Sequence, residues 1–244
     1  MKLLSYILSP IFGIAFFLIL LLFHPIQWIS LKIGYSAHKF VVDILGWFLA
    51  KSLLILGNTI HFTKHYEIPK NTTIIFVANH QSLFDIPPMV WWLRKHHPKF
   101  VSKIELGRGI PSISFNLRHG GGALIDRKDA RQSLEALSDF AQRMKKNVWS
   151  SIIFPEGTRS RDGKPKLFSF NGLKMMIKHN PEAYIVPITI NNSWKIFDYG
   201  KFPLHLFTRI TLETHEPVFL KNRDVDEVLA VVERKIKEHI IVAS

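Results

Sequence analysis

The chain contains no cysteine. Disulfides, thiolate nucleophiles and Cys-ligated zinc are thereby excluded, and the composition fits a reducing compartment. A Gly-x-Ser-x-Gly elbow is also missing, so a serine hydrolase would have no nucleophile. Neither a Gly-x-x-x-x-Gly-Lys-Ser/Thr phosphate loop nor a Gly-x-Gly-x-x-Gly fingerprint occurs. No metal-ligand spacing stands out, and the adjacent His96 and His97 read as a solvated turn. There is no internal repeat and no low-complexity tract. Acidic residues are scarce, with 19 Asp and Glu against 32 Lys and Arg. The net charge of +13 calls for an anionic partner: lipid headgroups, nucleic acid or phosphorylated substrates. No helix-turn-helix, RNA-recognition or aromatic-interleaved basic signature is present, which argues against nucleic acid.

What is present is apolar for a chain of this size. The 244 residues are 47% hydrophobic and suit one domain, or one domain with an appendage. Residues 3–23 carry no charge and are long enough to span a hydrocarbon core. The run is too long for a signal-peptide core, and no small-residue cleavage site follows. Pro10 and Gly13 should weaken or kink such a helix. His24, Pro25, Trp28 and Lys32 form an interfacial margin. A second apolar segment, residues 40–56, contains Asp43 and Lys51, which disfavours a second full span and suits an interfacial helix. Residues 1–57 are therefore expected to be a membrane anchor, either one span plus an interfacial helix or a re-entrant pair.

From residue 58 short β-like runs alternate with helical patterns. The runs are 73–78, 99–102, 123–125, 150–154, 184–190 and 208–213. Asp129 and Asp224 are placed to cap amphipathic helices, and residues 171–179 make a shorter one. This order predicts an α/β domain over residues 58–244. Its sheet should be mixed and largely parallel, flanked by helices, with ligands at the strand ends.

Asn79-His80-Gln81-Ser82-Leu83-Phe84-Asp85 follows the first of these runs. A His at a strand end with an Asp five residues later can work as an oriented base, one ring nitrogen held by the carboxylate and the other free. The spacing recurs at His38 and Asp43, but there no strand precedes it. Three glycines, 120–122, allow close backbone approach ahead of Asp126 and Arg127. Arg127 either grips a phosphate or pairs with Asp126. Phe154-Pro155-Glu156-Gly157-Thr158-Arg159-Ser160 places an acid, a hydroxyl and an Arg in one tight loop at a strand end. Such a loop can bind a polyol and a phosphate together, or be an ordinary turn. Pro187, inside the 184–190 run, marks a strand edge, end or bulge and reads as structural.

Taken in order, these blocks resemble those of the glycerolipid acyltransferases, in particular the bacterial 1-acyl-sn-glycerol-3-phosphate acyltransferases. The resemblance rests on Asn79-His80-x4-Asp85, Gly-Gly-Gly-x-x-Ile-Asp126-Arg127, Phe154 to Ser160 and Val186-Pro187-Ile188, with Lys103-Ile-Glu-Leu106 between them. Leu124 stands where an aromatic is common. The resemblance implies transfer of a fatty acyl group from acyl-CoA or acyl carrier protein to the sn-2 hydroxyl of lysophosphatidic acid. It implies no cofactor and no metal. His80 would be the base and Asp85 its orienting group. Lys103, Arg127 and Arg159 would hold the acceptor phosphate, with Glu156, Gly157 and Thr158 shaping the glycerol site. The location implied is a membrane, the cell inner membrane, with the catalytic domain on its cytoplasmic face. Two other readings stay open: the same chemistry on glycerol 3-phosphate, a lysophospholipid or an aminoacyl lipid, and a non-catalytic basic protein.

Overall fold

The computed structural model describes residues 2–242. Two helices, α1 (Lys2–Ile33) and α2 (Tyr35–Ser52), form an antiparallel hairpin in which Leu20 meets Leu45 and Leu49. Gly34 makes the elbow at φ 142°, a conformation that L side chains rarely adopt. The strands are β1 (Thr59–Lys64), β2 (Ile74–Ala78), β3 (Pro98–Lys103), β4 (Ala123–Ile125), β5 (Ser150–Ile153), β6 (Tyr184–Asn191), β7 (Arg209–Thr214) and β8 (Val218–Phe219). They form one sheet in the order β1-β7-β6-β2-β5-β3-β4, with β8 beside β6. From β6 through β4 all neighbours are parallel, whereas β7 and β8 run antiparallel to β6 and β1 follows β7. This is the mixed, largely parallel sheet expected from the sequence.

Helices cover both faces. They are α3 (Ile86–Trp92), α4 (Ile113–His119), α5 (Ala130–Asn147), α6 (Asn171–His179) and α7 (Val225–Glu238). The alternation of β2 divides the core. Ile74, Phe76 and Ala78 pack on one face with Met89 and Leu93, while Ile75 and Val77 pack on the other with Phe140, Met176 and Leu229. Asp129 and Asp224 cap α5 and α7 as expected, accepting from the N–H groups of Gln132 and Glu227. Four elements were not expected. Strand β1 is an exposed edge with only Ile60 and Phe62 alternating among polar residues. Strand β8 has two residues. The start of α3 is hidden by Pro87 and Pro88, which sit in its first turn, where a missing N–H costs nothing. The fourth is α4, a helix of only seven residues.

The hairpin is more closely bound to the sheet than a tether would be. Helix α1 is polar where it is buried, at Ser5, Ser9, Gln27 and Ser30, with Phe12 and Leu20 between. Its bare side carries Leu3, Ile7, Ile11, Ile14, Leu18, Leu22 and Ile29. A face of that composition suits hydrocarbon rather than water. Proceeding along α1, Ser9 accepts from the N–H of Leu204 beyond β6, and Phe12 and Phe16 touch Phe84 beyond β2. The Leu20 carbonyl then accepts from Ser112 Oγ beyond β3, and His24 Nδ1 accepts from the Ser112 N–H. These contacts cross three strand spacings, about 14 Å at the usual separation. Residues 9–24 of a helix span about 22 Å. Helix α1 thus lies across the ends of the parallel strands.

On the far edge, His215 Nε2 donates to Thr189 Oγ1 (2.7 Å), which in turn donates to the carbonyl of Ile236 at the end of α7. Burial, reinforced by nearby His239 and Lys235, pushes the His215 pKa down to about 4. The unfolded chain takes up this proton near pH 6.5 and the folded protein only near 4. Between those values the unfolded state binds more protons, so stability should fall as pH drops from about 6.5 towards 4. The expected loss is on the order of 2 kcal/mol. Melting temperatures measured across this range should fall in the wild type and flatten in His215→Gln.

Candidate active site

The C-terminal ends of five parallel strands carry the polar residues singled out above. Register places Val77 beside Ile153, Ala78 beside Ile188 and Lys103 beside Ile125. Consequently His80 after β2, Glu156 after β5, Lys103 at the end of β3 and Arg127 after β4 share one edge of the sheet.

After β2 the chain makes a turn that closes on a carboxylate. Asp85 is fully buried and ends a short 3-10 turn capped by Ser82, whose Oγ accepts from the Phe84 N–H. Asp85 Oδ2 accepts from the N–H groups of Gln81 (2.8 Å) and Ser82 (2.9 Å). The same oxygen accepts from His80 Nδ1 at 2.8 Å. This fixes the proton on Nδ1 and leaves the Nε2 lone pair free. The ring is stacked on Phe154 at a centroid distance of 4.1 Å, and its side chain is 15% exposed.

The sequence repeat at His38 and Asp43 lies wholly within α2. Positions five apart on an α-helix diverge by about 140°, and Asp43 pairs with Lys39 instead. The extended Ser82 and the tighter turn after it are what let the same spacing close at His80.

Glu156 is tied to the backbone of the His80 turn. Its Oε1 accepts from the His80 N–H (2.8 Å) and its Oε2 from the Lys166 N–H (3.1 Å). Burial raises the Glu156 carboxyl pKa, while the two N–H groups pull it down. The Ser160 N–H donates to the His80 carbonyl at 2.7 Å, so the loop grips His80 from both sides. Gly157, at φ 67°, turns the chain, and Thr158 and Arg159 stand exposed beyond it. The side chains of Lys103, Arg127 and Arg159 are exposed, and among the described residues no hydrogen bond or ion pair engages their charged ends. Asp126 accepts from the Lys128 N–H rather than from Arg127. The glycine run serves packing: a Cβ at Gly121 or Gly122 would meet Trp149 or the Phe100 carbonyl within 2.7 Å. Among the described residues no group of three or more His, Asp or Glu is placed to hold a metal.

Two residues of this site were given no role by the sequence: Asn79, named only as part of a block, and Ser193. Asn79 clips β2 to β6, its Oδ1 accepting from the Ile190 N–H (2.7 Å) and its Nδ2 donating to the Ile190 carbonyl (2.8 Å). Ser193, two residues beyond β6, donates from Oγ to Asp85 Oδ1. The signal available was positional, since Ser193 stands to β6 as His80 stands to β2. Pro187 is not at a strand edge or end: it is buried inside the central strand β6, opposite Val77, in the gap between the residues paired with β8 and those paired with β7.

A parallel-sheet edge with an oriented imidazole and exposed cations is an α/β arrangement suited to general-base chemistry beside an anionic group. Residues 59–191 match the family described as Acyltransferase, and the chain belongs to that family. The 1-acyl-sn-glycerol-3-phosphate acyltransferase of Helicobacter pylori is 31% identical over 172 residues, which are 68% of this chain and 69% of that protein. The chloroplastic 1-acyl-sn-glycerol-3-phosphate acyltransferase LPAT1 of Arabidopsis thaliana is 30% identical over 155 residues. That match covers 64% of this chain but only 42% of the plant protein. The crystal structure of the 1-acyl-sn-glycerophosphate acyltransferase from Thermotoga maritima has the same fold. Its TM-score is 0.75 at 23% identity, with 97% of this chain and 93% of that chain covered.

Proposed function

We propose that the chain moves a fatty acyl group from a thioester, acyl-CoA or acyl carrier protein, to the sn-2 hydroxyl of lysophosphatidic acid, giving phosphatidic acid. The observation that carries this reading is the free Nε2 of His80, backed by buried Asp85 and sharing a sheet edge with three unpartnered cations. His80 takes the hydroxyl proton as the oxygen attacks the thioester carbonyl. The Nδ1–H bond to Asp85 stabilises the imidazolium that forms. When the C–S bond breaks, the imidazolium returns its proton to the leaving thiolate. No acyl-enzyme is required. Lys103, Arg127 and Arg159 hold the acceptor phosphate, and Gly157, Thr158 and the Glu156 carboxylate shape the loop around its glycerol.

Residues 1–57 serve as the membrane anchor of the catalytic domain, residues 58–244. Because α1 lies along the strand ends, its bare apolar face sits in the membrane plane beside the site, rather than crossing the bilayer at right angles. The acceptor then enters from the membrane, at the cytoplasmic face of the inner membrane, and the donor from water.

Purified protein should acylate lysophosphatidic acid with at least one of the two donors. Preferential acylation of glycerol 3-phosphate, another lysophospholipid or an aminoacyl lipid in competition would overturn the acceptor assignment. Arg127→Gln and Arg159→Gln should each raise KM for lysophosphatidic acid about 10- to 100-fold, the worth of a hydrogen bond to a charged group. Turnover of monoacylglycerol, which has no phosphate, should not fall in the same variants.

A further inference from the structure

Asp85 sits in a completely buried position with four donors aimed at it. Three of them, the ring of His80 and the N–H groups of Gln81 and Ser82, belong to its own turn and converge on Oδ2. The Oδ1 oxygen has one partner, the hydroxyl of Ser193, which lies 108 residues away and is itself fully buried. A buried carboxylate oxygen without a donor is costly, so this single bond decides which way the carboxylate faces. Ser193 is held firmly. It follows Asn192, whose backbone is left-handed at φ 68°, and begins the 3-10 turn Ser193–Phe197. Three residues earlier, Ile190 is clamped through both its N–H and its carbonyl by the side chain of Asn79. The end of β6 is therefore bonded to the first residue of the catalytic turn, Asn79, and to its last, Asp85.

We infer that Ser193 is a positioning residue for the transfer reaction, acting through Asp85: its hydroxyl holds the carboxylate so that Oδ2, rather than Oδ1, meets the imidazole. This assigns a task to the segment just beyond the fourth sequence block, Val186-Pro187-Ile188. That segment touches no substrate in this reading; it supports the first block. The inference rests on His80 being the base.

The test is a set of variants assayed with the same thioester and lysophosphatidic acid, with folding checked by circular dichroism and melting temperature. Ser193→Ala should lower kcat about 10- to 100-fold, the loss matching one hydrogen bond to a charged group. KM for the acceptor should change less than about twofold, because the hydroxyl is out of reach of any substrate. Losing a donor makes the carboxylate a stronger acceptor for Nδ1–H and favours the imidazolium. The acid limb of the kcat/KM profile should therefore move to higher pH. Ser193→Thr, which keeps the hydroxyl, should recover most of the activity.

In an Asp85→Asn background, adding Ser193→Ala should cost less than about twofold, since the two act as a unit. A folded Ser193→Ala enzyme with wild-type kcat and pH profile would overturn the inference. So would an undiminished loss in the Asp85→Asn background. If Ser193→Ala does not fold, the near-isosteric Ser193→Cys, a weaker donor, takes its place under the same criteria. His80→Ala is run alongside. Activity retained there would remove the base and the reading beneath, whereas an inactive His80→Ala with an unaffected Ser193→Ala would remove only the part given to Ser193.

Discussion

His80→Ala is expected to lower kcat for acyl transfer by about 10³-fold, within the 10²- to 10⁴-fold range of positioned base catalysis. The fall should be in kcat and not in KM, because the ring is oriented by Asp85 and stacked on Phe154 rather than standing among the exposed cations. The protein should stay folded. The ring is partly exposed, and the turn is held without it by the bonds from Gln81, Ser82 and Ser193 to Asp85. Steady-state kinetics with a saturating thioester donor, next to a melting curve, measure both. A folded His80→Ala protein with wild-type kcat would show that some other group accepts the proton. No Cys or serine elbow is available as a covalent fallback, so little activity should survive through another route.

Deleting residues 2–33 is expected to abolish the folded state rather than to release a soluble enzyme. Phe12 and Leu20 are each 3% exposed, and Phe12 belongs to the same core cluster as Phe76 of β2, Met89 of α3 and Val186 of β6. Losing two such side chains removes roughly 3–6 kcal/mol of burial. The loss of Phe16 and of the bonds at Ser9, Leu20 and His24 adds to it. Typical domains have only about 5–15 kcal/mol in total. Activity should suffer even in a molecule that survives, because Phe84, beside Asp85, would lose both of its α1 partners. Expression of the truncated chain with a chemical-denaturation curve measures the outcome. A cooperative, active, soluble product would show that α1 is a detachable tether.

Much of the candidate site's placement at one sheet edge could be read in the sequence because its signals are local. A buried strand is an unbroken apolar run, as at Ile74–Ala78, and a functional turn is a cluster of polar residues where that run stops. His80, Asp85, Arg127 and the Glu156 loop all announce themselves in this way. The bonds that hold them are not local. Ser193 reaches Asp85 across 108 positions and Asn79 reaches Ile190 across 111, and no short window contains both partners. The part taken by Glu156 was hidden for the same reason, since its carboxylate is bound by the N–H of His80, 76 residues away. The lie of α1 was hidden differently. Its composition specifies length and hydrophobicity, but direction depends on a sparse stripe of serines and one glutamine facing inward.

The course of α1 across the strand ends also bears on how the protein is made. Ser9 is bonded to Leu204, 195 residues further along the chain. At roughly 5–20 residues per second, a ribosome needs about 10–40 s to produce that partner after releasing α1. For all of that time Ser9 lacks its partner, although α2, Phe84 and Ser112 are made earlier, and the apolar side of the helix stays bare throughout. On the proposed membrane reading, the bilayer is the holding place for that apolar side during synthesis, and the sheet is assembled against a helix already lying in lipid.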